Sequence, residues 1–154
     1  MNASTDTPLI RAGEEFQAQL RFTRGQIMQF AQLTGDTNPL HHDRQAAERA
    51  SFGEIIASGQ QTASQMMGLL ASHFSRSDDG IPRELLVLNF NAAFKAPVFA
   101  EQDLRVHWTV SEVERSTKRG GFIAHVDGTA SVAGRACVIG RATVLVRRAA
   151  PRPS

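Results

Sequence analysis

The sequence predicts an α+β domain in which a curved antiparallel sheet of five or more strands wraps around one long central helix. Three observations carry this expectation. From Gly59 to Phe74 the apolar positions Ala63, Met66, Met67, Leu70 and Phe74 recur at spacings of three and four, a broad stripe on a helix long enough to organise a core. Beyond residue 83 the pattern changes to period two, in long runs from Glu84 to Phe94, Leu104 to Glu114, Gly121 to Val132 and Ala136 to Val146. The runs are joined by short turn-formers such as Lys95-Ala96-Pro97, Arg119-Gly120-Gly121 and Ala133-Gly134-Arg135, which make the last strands antiparallel neighbours. Such a sheet must cover its apolar face, and the helix from Gly59 carries the matching stripe.

Taken in order, residues 1–13 read as a flexible N-terminus and 149–154 (A-A-P-R-P-S) as a flexible tail, both rich in small residues and proline. One folded domain is expected between them, over 14–148. In it, Phe16, Ala18, Leu20 and Phe22 alternate with Glu15, Gln17, Gln19 and Arg21, the signature of a strand with one buried face. Thr23 can cap a short helix with Ile27, Phe30, Ala31 and Leu33 on one side, and Gly35 supplies a left-handed stop. Asp43 can cap a second short helix that ends before Phe52 and Gly53. In the second half, Leu104, Val106, Trp108 and Val110 mark one inward face.

Composition excludes several classes of function. A chain of 154 residues suits one domain with a substantial core, and 42% apolar with 21% charged residues is the ordinary globular mix. The formal charge of +2 argues against nucleic acid, which calls for a dense basic stripe. Arg115, Lys118, Arg119, Arg147, Arg148 and Arg152 read as scattered over strand ends and the tail, either as a solvated rim or as contacts to an anionic ligand. Cys137 is the only cysteine, which rules out an intramolecular disulfide and fits a reducing cytoplasm. The N-terminus lacks a signal-peptide pattern, and no apolar run reaches the roughly 18 residues of a membrane span, so neither export nor membrane insertion is expected.

The chemistry concentrates in T-G-D-T-N-P-L-H-H-D, residues 34–43. Pro39 keeps Asn38 out of the helical region, so a turn there can bring Asp36 and His41 to one point. A carboxylate and an imidazole converging on a pocket can hold a water between them, one taking its proton while the other steers it. The alternative is a plain polar turn, with Asp36 and Asn38 making Asx hydrogen bonds and the histidines on the surface. A second feature lies at Ser58-Gly59, where the central helix opens with free backbone amides and the positive end of its dipole. That arrangement suits a developing oxyanion, or is an ordinary cap by Ser58. His42, His73, His107 and His125 form no rival site: no pair has zinc-helix spacing, the single cysteine weakens a thiolate site, and no G-x-S-x-G elbow is present.

F30-A-Q-L-T-G-D-T-N-P-L-H41 with Asp43, F52-G-E-I-I-A-S-G59, F94-K-A-P-V-F and Asp103-Leu104 together resemble the MaoC-like (R)-specific enoyl-CoA hydratase family, in order from about Phe22 to Val146. The resemblance implies a hotdog fold, commonly paired into a homodimer with a continuous sheet. It implies that Asp36 and His41 activate the water, that the backbone amide of Gly59 forms the oxyanion hole, and that Asn38, with Pro39, fixes the loop. The substrate would be a trans-2-enoyl thioester of coenzyme A, hydrated reversibly to the (3R)-hydroxyacyl thioester as in fatty acid metabolism. No metal and no redox cofactor would be needed, coenzyme A being part of the substrate.

Three departures from the family pattern involve four residues. Ser58 stands where members often carry histidine, Gln60 and Gln61 where apolar residues usually follow, and Met67 where some carry a hydroxyl. Gln60 with Met66 and Met67 is accordingly expected to shape the acyl pocket, or to serve simply as helix-surface and core residues. A hotdog acyl-CoA thioesterase and a non-catalytic acyl-CoA binding or structural subunit remain the competing functions, because a fold alone does not fix chemistry.

Overall fold

A computed structural model of the chain describes residues 8–150. Its elements follow the expected order: β1 (Glu15–Arg21), α1 (Arg24–Thr34), a 3-10 turn (Pro39–His41), α2 (Arg44–Arg49), α3 (Gly59–Phe74), β2 (Arg83–Phe94), β3 (Asp103–Arg115), β4 (Phe122–Val132) and β5 (Arg135–Arg148). The five strands form one antiparallel sheet in the order β1-β3-β4-β5-β2. Register shifts between Val87 and Asn89 in β2 and between Val110 and Glu112 in β3 interrupt the ladders, and such bulges bend a strand and increase its twist. The sheet can therefore curl around α3 rather than lie flat against it.

Each helix is bounded by local chemistry. Thr23 and Gln26 make reciprocal side-chain to backbone bonds at the start of α1, a capping box, and α1 closes at Gly35 with φ of 72°. Ser58 caps α3, its hydroxyl accepting from the Gln61 amide. The stripe of α3 buries Met66, Leu70 and Phe74 against Val106 and Trp108 of β3, Val126 of β4 and Val144 of β5. Trp108, fully buried, also donates its indole N–H to the Met66 carbonyl at 2.9 Å, so its one polar atom is satisfied inside the core.

The N-terminal end differs from expectation. Residues 1–7 and 151–154 lie outside the described residues, but within the segment 1–13 Leu9 and Ile10 are core residues, 4% and 1% exposed. The guanidinium of Arg83 donates to the Leu9 carbonyl at 3.3 Å, and the Gly13 amide donates to the Val110 carbonyl at 2.8 Å. Two adjacent aliphatic side chains just before the first strand have enough apolar surface to dock, which the proline and small residues around them conceal in the sequence. At the other end, the Ala149 amide donates to the Pro82 carbonyl at 2.9 Å, extending the order one residue past β5.

Candidate active site

The turn after α1 is built by its own side chains. Beyond Gly35 the Asp36 amide donates to the Ala31 carbonyl at 2.8 Å, which turns the chain back over the helix end. Asp36 Oδ1 accepts from the Asn38 amide at 2.9 Å, and Asn38 Oδ1 accepts from the Leu40 amide at 3.2 Å, two successive Asx interactions. Pro39 then opens the 3-10 turn with its fixed φ and no amide left to satisfy. Asn38 and Pro39 thus shape the loop. The polar-turn and catalytic readings of this stretch are compatible, since the Asx bonds use only one oxygen of Asp36.

The second oxygen faces His41. His41 Nε2 lies 3.4 Å from Asp36 Oδ2, and the imidazole is buried. On the other side of the ring, Nδ1 is 2.7 Å from the Ile56 carbonyl. A carbonyl can only accept, so Nδ1 carries the proton, and in the neutral ring Nε2 presents its lone pair toward the carboxylate. Two acceptors facing each other invite a water that donates one O–H to each.

Ile56 is held from both flanks. Its amide donates to the Leu40 carbonyl at 3.2 Å, it bridges to Phe99, and the neighbouring Ala57 amide donates to the Val98 carbonyl at 2.8 Å. Just upstream, Arg24 clamps Glu54 with two bonds of 3.1 and 2.7 Å, tying the first turn of α1 to this segment. The Arg24 guanidinium and the Ile55 amide pull the Glu54 carboxyl from its usual 4.5 down to about 2.

Asp36 and His41 open onto a cavity of about 620 Å³ that also includes Gly59, Gln60, Phe52 and Phe94. At its wall α3 begins: the Gln61 and Thr62 amides bond to Ser58, whereas those of Gly59 and Gln60 take no protein partner among the described residues. A methyl group on Gly59 would come within 2.5 Å of the Phe94 ring, so glycine is what lets that ring lie against the helix start. The cavity therefore joins an acid–base pair, free helix-start amides and a largely apolar lining with Lys95 at its edge.

Of the residues expected to shape an acyl pocket, Gln60 lines this cavity but Met66 and Met67 do not. Met66, the eighth residue of α3, is fully buried in the core beneath the sheet, and Met67, the ninth, is half-buried outside that core, because the helix has turned both away from the cavity at its start. The Gln60 carboxamide nitrogen lies 3.5 Å from both Thr34 Oγ1 and Asp36 Oδ2, within reach of the carboxylate. Gln61 points the other way, toward α1, with Nε2 3.4 Å from the Gln26 carbonyl. His42 is exposed and takes no part. Ile56 lies within F52-G-E-I-I-A-S-G59 and Phe94 opens the F-K-A-P stretch, but neither pattern signals that Ile56 orients His41 or that Phe94 packs on Gly59. Among the described residues no group of His, Cys, Asp and Glu side chains is arranged to hold a metal.

Comparison with known proteins finds hydratase and dehydratase relatives. An (R)-specific enoyl-CoA hydratase from Aeromonas caviae is 28% identical over 95 residues, which cover 62% of this chain and 66% of that protein. A mitochondrial 3-hydroxyacyl-acyl-carrier-protein dehydratase from Solanum lycopersicum is 24% identical over 103 residues, covering 67% of this chain and 58% of that protein. The chain thus spans less than two thirds of the length of these curated relatives. In three dimensions it is similar to the (R)-hydratase from A. caviae involved in PHA biosynthesis, with a TM-score of 0.77 at 26% identity over 88% of this chain and 96% of the other, which shares the hotdog fold. Residues 8–134, from the buried Leu9 and Ile10 through the Asp36–His41 turn and most of the sheet, match the family described as MaoC like domain, and the chain belongs to that dehydratase family.

Proposed function

We propose that the chain is an (R)-specific enoyl-CoA hydratase, adding water reversibly to trans-2-enoyl-CoA to give (3R)-hydroxyacyl-CoA. The observation that carries this is the 3.4 Å approach of Asp36 Oδ2 and His41 Nε2 on one cavity with the amide of Gly59. A thioester carbonyl hydrogen-bonded to that amide becomes polarised, and its conjugated double bond becomes electrophilic at the β-carbon. Water held by Asp36 and His41 attacks there. Its departing proton passes to the pair, the C=C electrons move toward the carbonyl oxygen, and the resulting enolate takes a proton at the α-carbon from the same pair. One water adds across one double bond, and Asp36 and His41 end as they began. No step calls for a metal or redox cofactor. The (R) configuration and the coenzyme A carrier rest on the likeness to the A. caviae hydratase.

The outer strand β2 supports a homodimer. Leu86, Val87 and Leu88 are 49%, 39% and 38% exposed along a free sheet edge, an arrangement that invites pairing with another strand. A second copy pairing there would extend the sheet and cover this surface. No helix among the described residues is long and apolar enough to cross a membrane. The lone buried Cys137 fits a cytoplasmic setting.

Mixing the purified chain with a panel of short, long and branched trans-2-enoyl-CoA thioesters tests the proposal. Loss of the conjugated enoyl-thioester absorbance without release of free thiol supports it. Thiol release from saturated acyl-CoA without hydration would select a thioesterase. Tight binding with no turnover of any thioester would select a non-catalytic subunit.

A further inference from the structure

Basic residues that are scattered in the sequence converge in space. Arg115 closes β3, Arg119 lies in the following hairpin, and Arg147 and Arg148 close β5. All four line a cavity of about 320 Å³ with Leu9 and Phe122. The register explains the convergence, because Phe122 at the start of β4 pairs with Val146 and carries the β3–β4 hairpin onto the end of β5. Glycine makes the approach possible: a methyl group on Gly121 would stand 2.5 Å from the Val146 carbonyl oxygen and 2.7 Å from Arg147 Cβ, and φ there is 110°.

Two of the four guanidinium groups at this cavity, those of Arg119 and Arg148, have no acidic partner among the described residues. Guanidinium groups stay ionised throughout the accessible pH range, so gathering four of them costs repulsion unless anions offset it. Arg147 donates to Glu84 at 2.6 Å, and the Arg115 guanidinium lies 5.9 Å from the centroid of the Phe122 ring. The side chains of Arg119 and Arg148 make no ion pair with a described acidic residue. Planar guanidinium forks match the oxygen spacing of phosphate, and they bind it more strongly than a neutral donor does. The volume is at the lower end of small-ligand cavities, which begin near about 300 Å³, enough for a diphosphate. Phe122 and Leu9 add an apolar wall.

We propose that this cavity binds a small phosphate-bearing anion, either a free diphosphate or the phosphates of a nucleotide. It lies away from the catalytic cavity. Val138 lines one and Arg148 the other, and at the usual rise per residue they are about 33 Å apart along β5. The site therefore stands whether or not the hydratase reading does.

Calorimetric titration of the full chain at low salt, with inorganic pyrophosphate and separately with adenosine 3′,5′-bisphosphate, tests it. Saturable binding at one site per chain is expected for at least one probe, beyond the effect of sodium chloride at matched ionic strength. Arg119→Ala/Arg148→Ala should weaken it by about tenfold or more, as expected for lost charge-assisted bonds. Asp36→Asn and Arg105→Ala, the latter at an exposed arginine elsewhere on β3, should leave it unchanged. Preference for the bisphosphate assigns the nucleotide, and preference for pyrophosphate assigns the free diphosphate. Both replaced arginines are exposed, and Arg119→Ala alone, outside any strand, serves if the double variant does not fold. Absence of saturation with both probes, an effect no larger than that of sodium chloride, or undiminished binding by the arginine variants would overturn the proposal.

Discussion

His41 is oriented by a bond at the ring nitrogen that does not face Asp36: Nδ1 lies 2.7 Å from the Ile56 carbonyl, while Nε2 faces Asp36 Oδ2 at 3.4 Å. The backbone bond selects the tautomer, and the tautomer leaves the lone pair facing the carboxylate. Replacement of either partner should therefore affect chemistry more than folding. Asp36→Asn and His41→Ala are each expected to lower the hydration rate by about 10² to 10⁴, the usual worth of a positioned acid or base. Stopped-flow or steady-state rates check this, alongside melting temperatures to confirm that the variants stay folded.

The contact between Gly59 and Phe94 sets a second expectation. Gly59→Ala places a methyl group where the Phe94 ring now lies, and either the ring or the helix start must move. A displacement of this kind at a reacting group can cost about 10²-fold in rate. Phe94 is 59% exposed at the end of an edge strand, so its removal leaves little unfilled core. The double variant Gly59→Ala/Phe94→Ala should accordingly recover much of the activity lost in Gly59→Ala, as kcat/KM for one enoyl thioester would reveal.

Most of this site could be read from the residues between Thr34 and Asp43, because its turns are made by local side-chain bonds. Asp36 and Asn38 bond to amides two positions on, and Asp43 bonds to the Ala46 amide to cap α2. The boundaries of α1 and α3 were legible for the same reason, being set by Thr23, Gly35 and Ser58. What could not be read depends on partners distant in sequence. The Ile56 carbonyl reaches His41 only because the strand-like segment near Val98 and Phe99 holds it in place. Met66 and Met67 share the helical stripe, and helical periodicity alone does not say which part of a stripe meets a cavity and which meets a sheet. The arginine cluster likewise depends on the pairing of β4 with β5.

Arg83 should matter for stability rather than catalysis. Its buried guanidinium bonds both carboxylate oxygens of Asp79 at 2.8 and 2.6 Å, and the carbonyls of Leu9, Arg76 and Ile81 at 3.3, 3.0 and 2.9 Å. It joins the N-terminal segment, the chain after α3 and the first residue of β2. The pair holds the Asp79 carboxyl well below the usual carboxylate range, the bond from Arg83 being the main cause. Arg83→Ala leaves several of these acceptors without their donor. A loss of about 2 to 3 kcal/mol is expected in urea unfolding, comparable to losing charge-assisted hydrogen bonds.

His73 gives stability a pH dependence. Its ring stacks on Phe16 at 3.8 Å between centroids and lies edge-on to Phe74. Burial pushes the imidazole below its ordinary value of 6.5, the bond to Glu14 opposes this, and the charges of Arg76 and Arg83 add to the lowering. The unfolded chain then takes up the proton at higher pH than the folded chain does. The stability His73 contributes is full above about 6.5 and falls as pH drops through the depressed folded value. His73→Phe keeps the ring stack but removes the titration, so its melting temperature should decline less than the wild type's between about pH 7 and pH 5.

The most direct test of the hydratase account is the fate of a short trans-2-enoyl-CoA followed by absorbance, with the product resolved by configuration. The account predicts that the wild-type chain removes the conjugated absorbance and yields the (3R)-hydroxyacyl thioester with the thioester bond intact. It also predicts that Asp36→Asn and His41→Ala, each still folded, nearly abolish that reaction. Full activity in those variants, a (3S) product, or free thiol in place of hydration would contradict it.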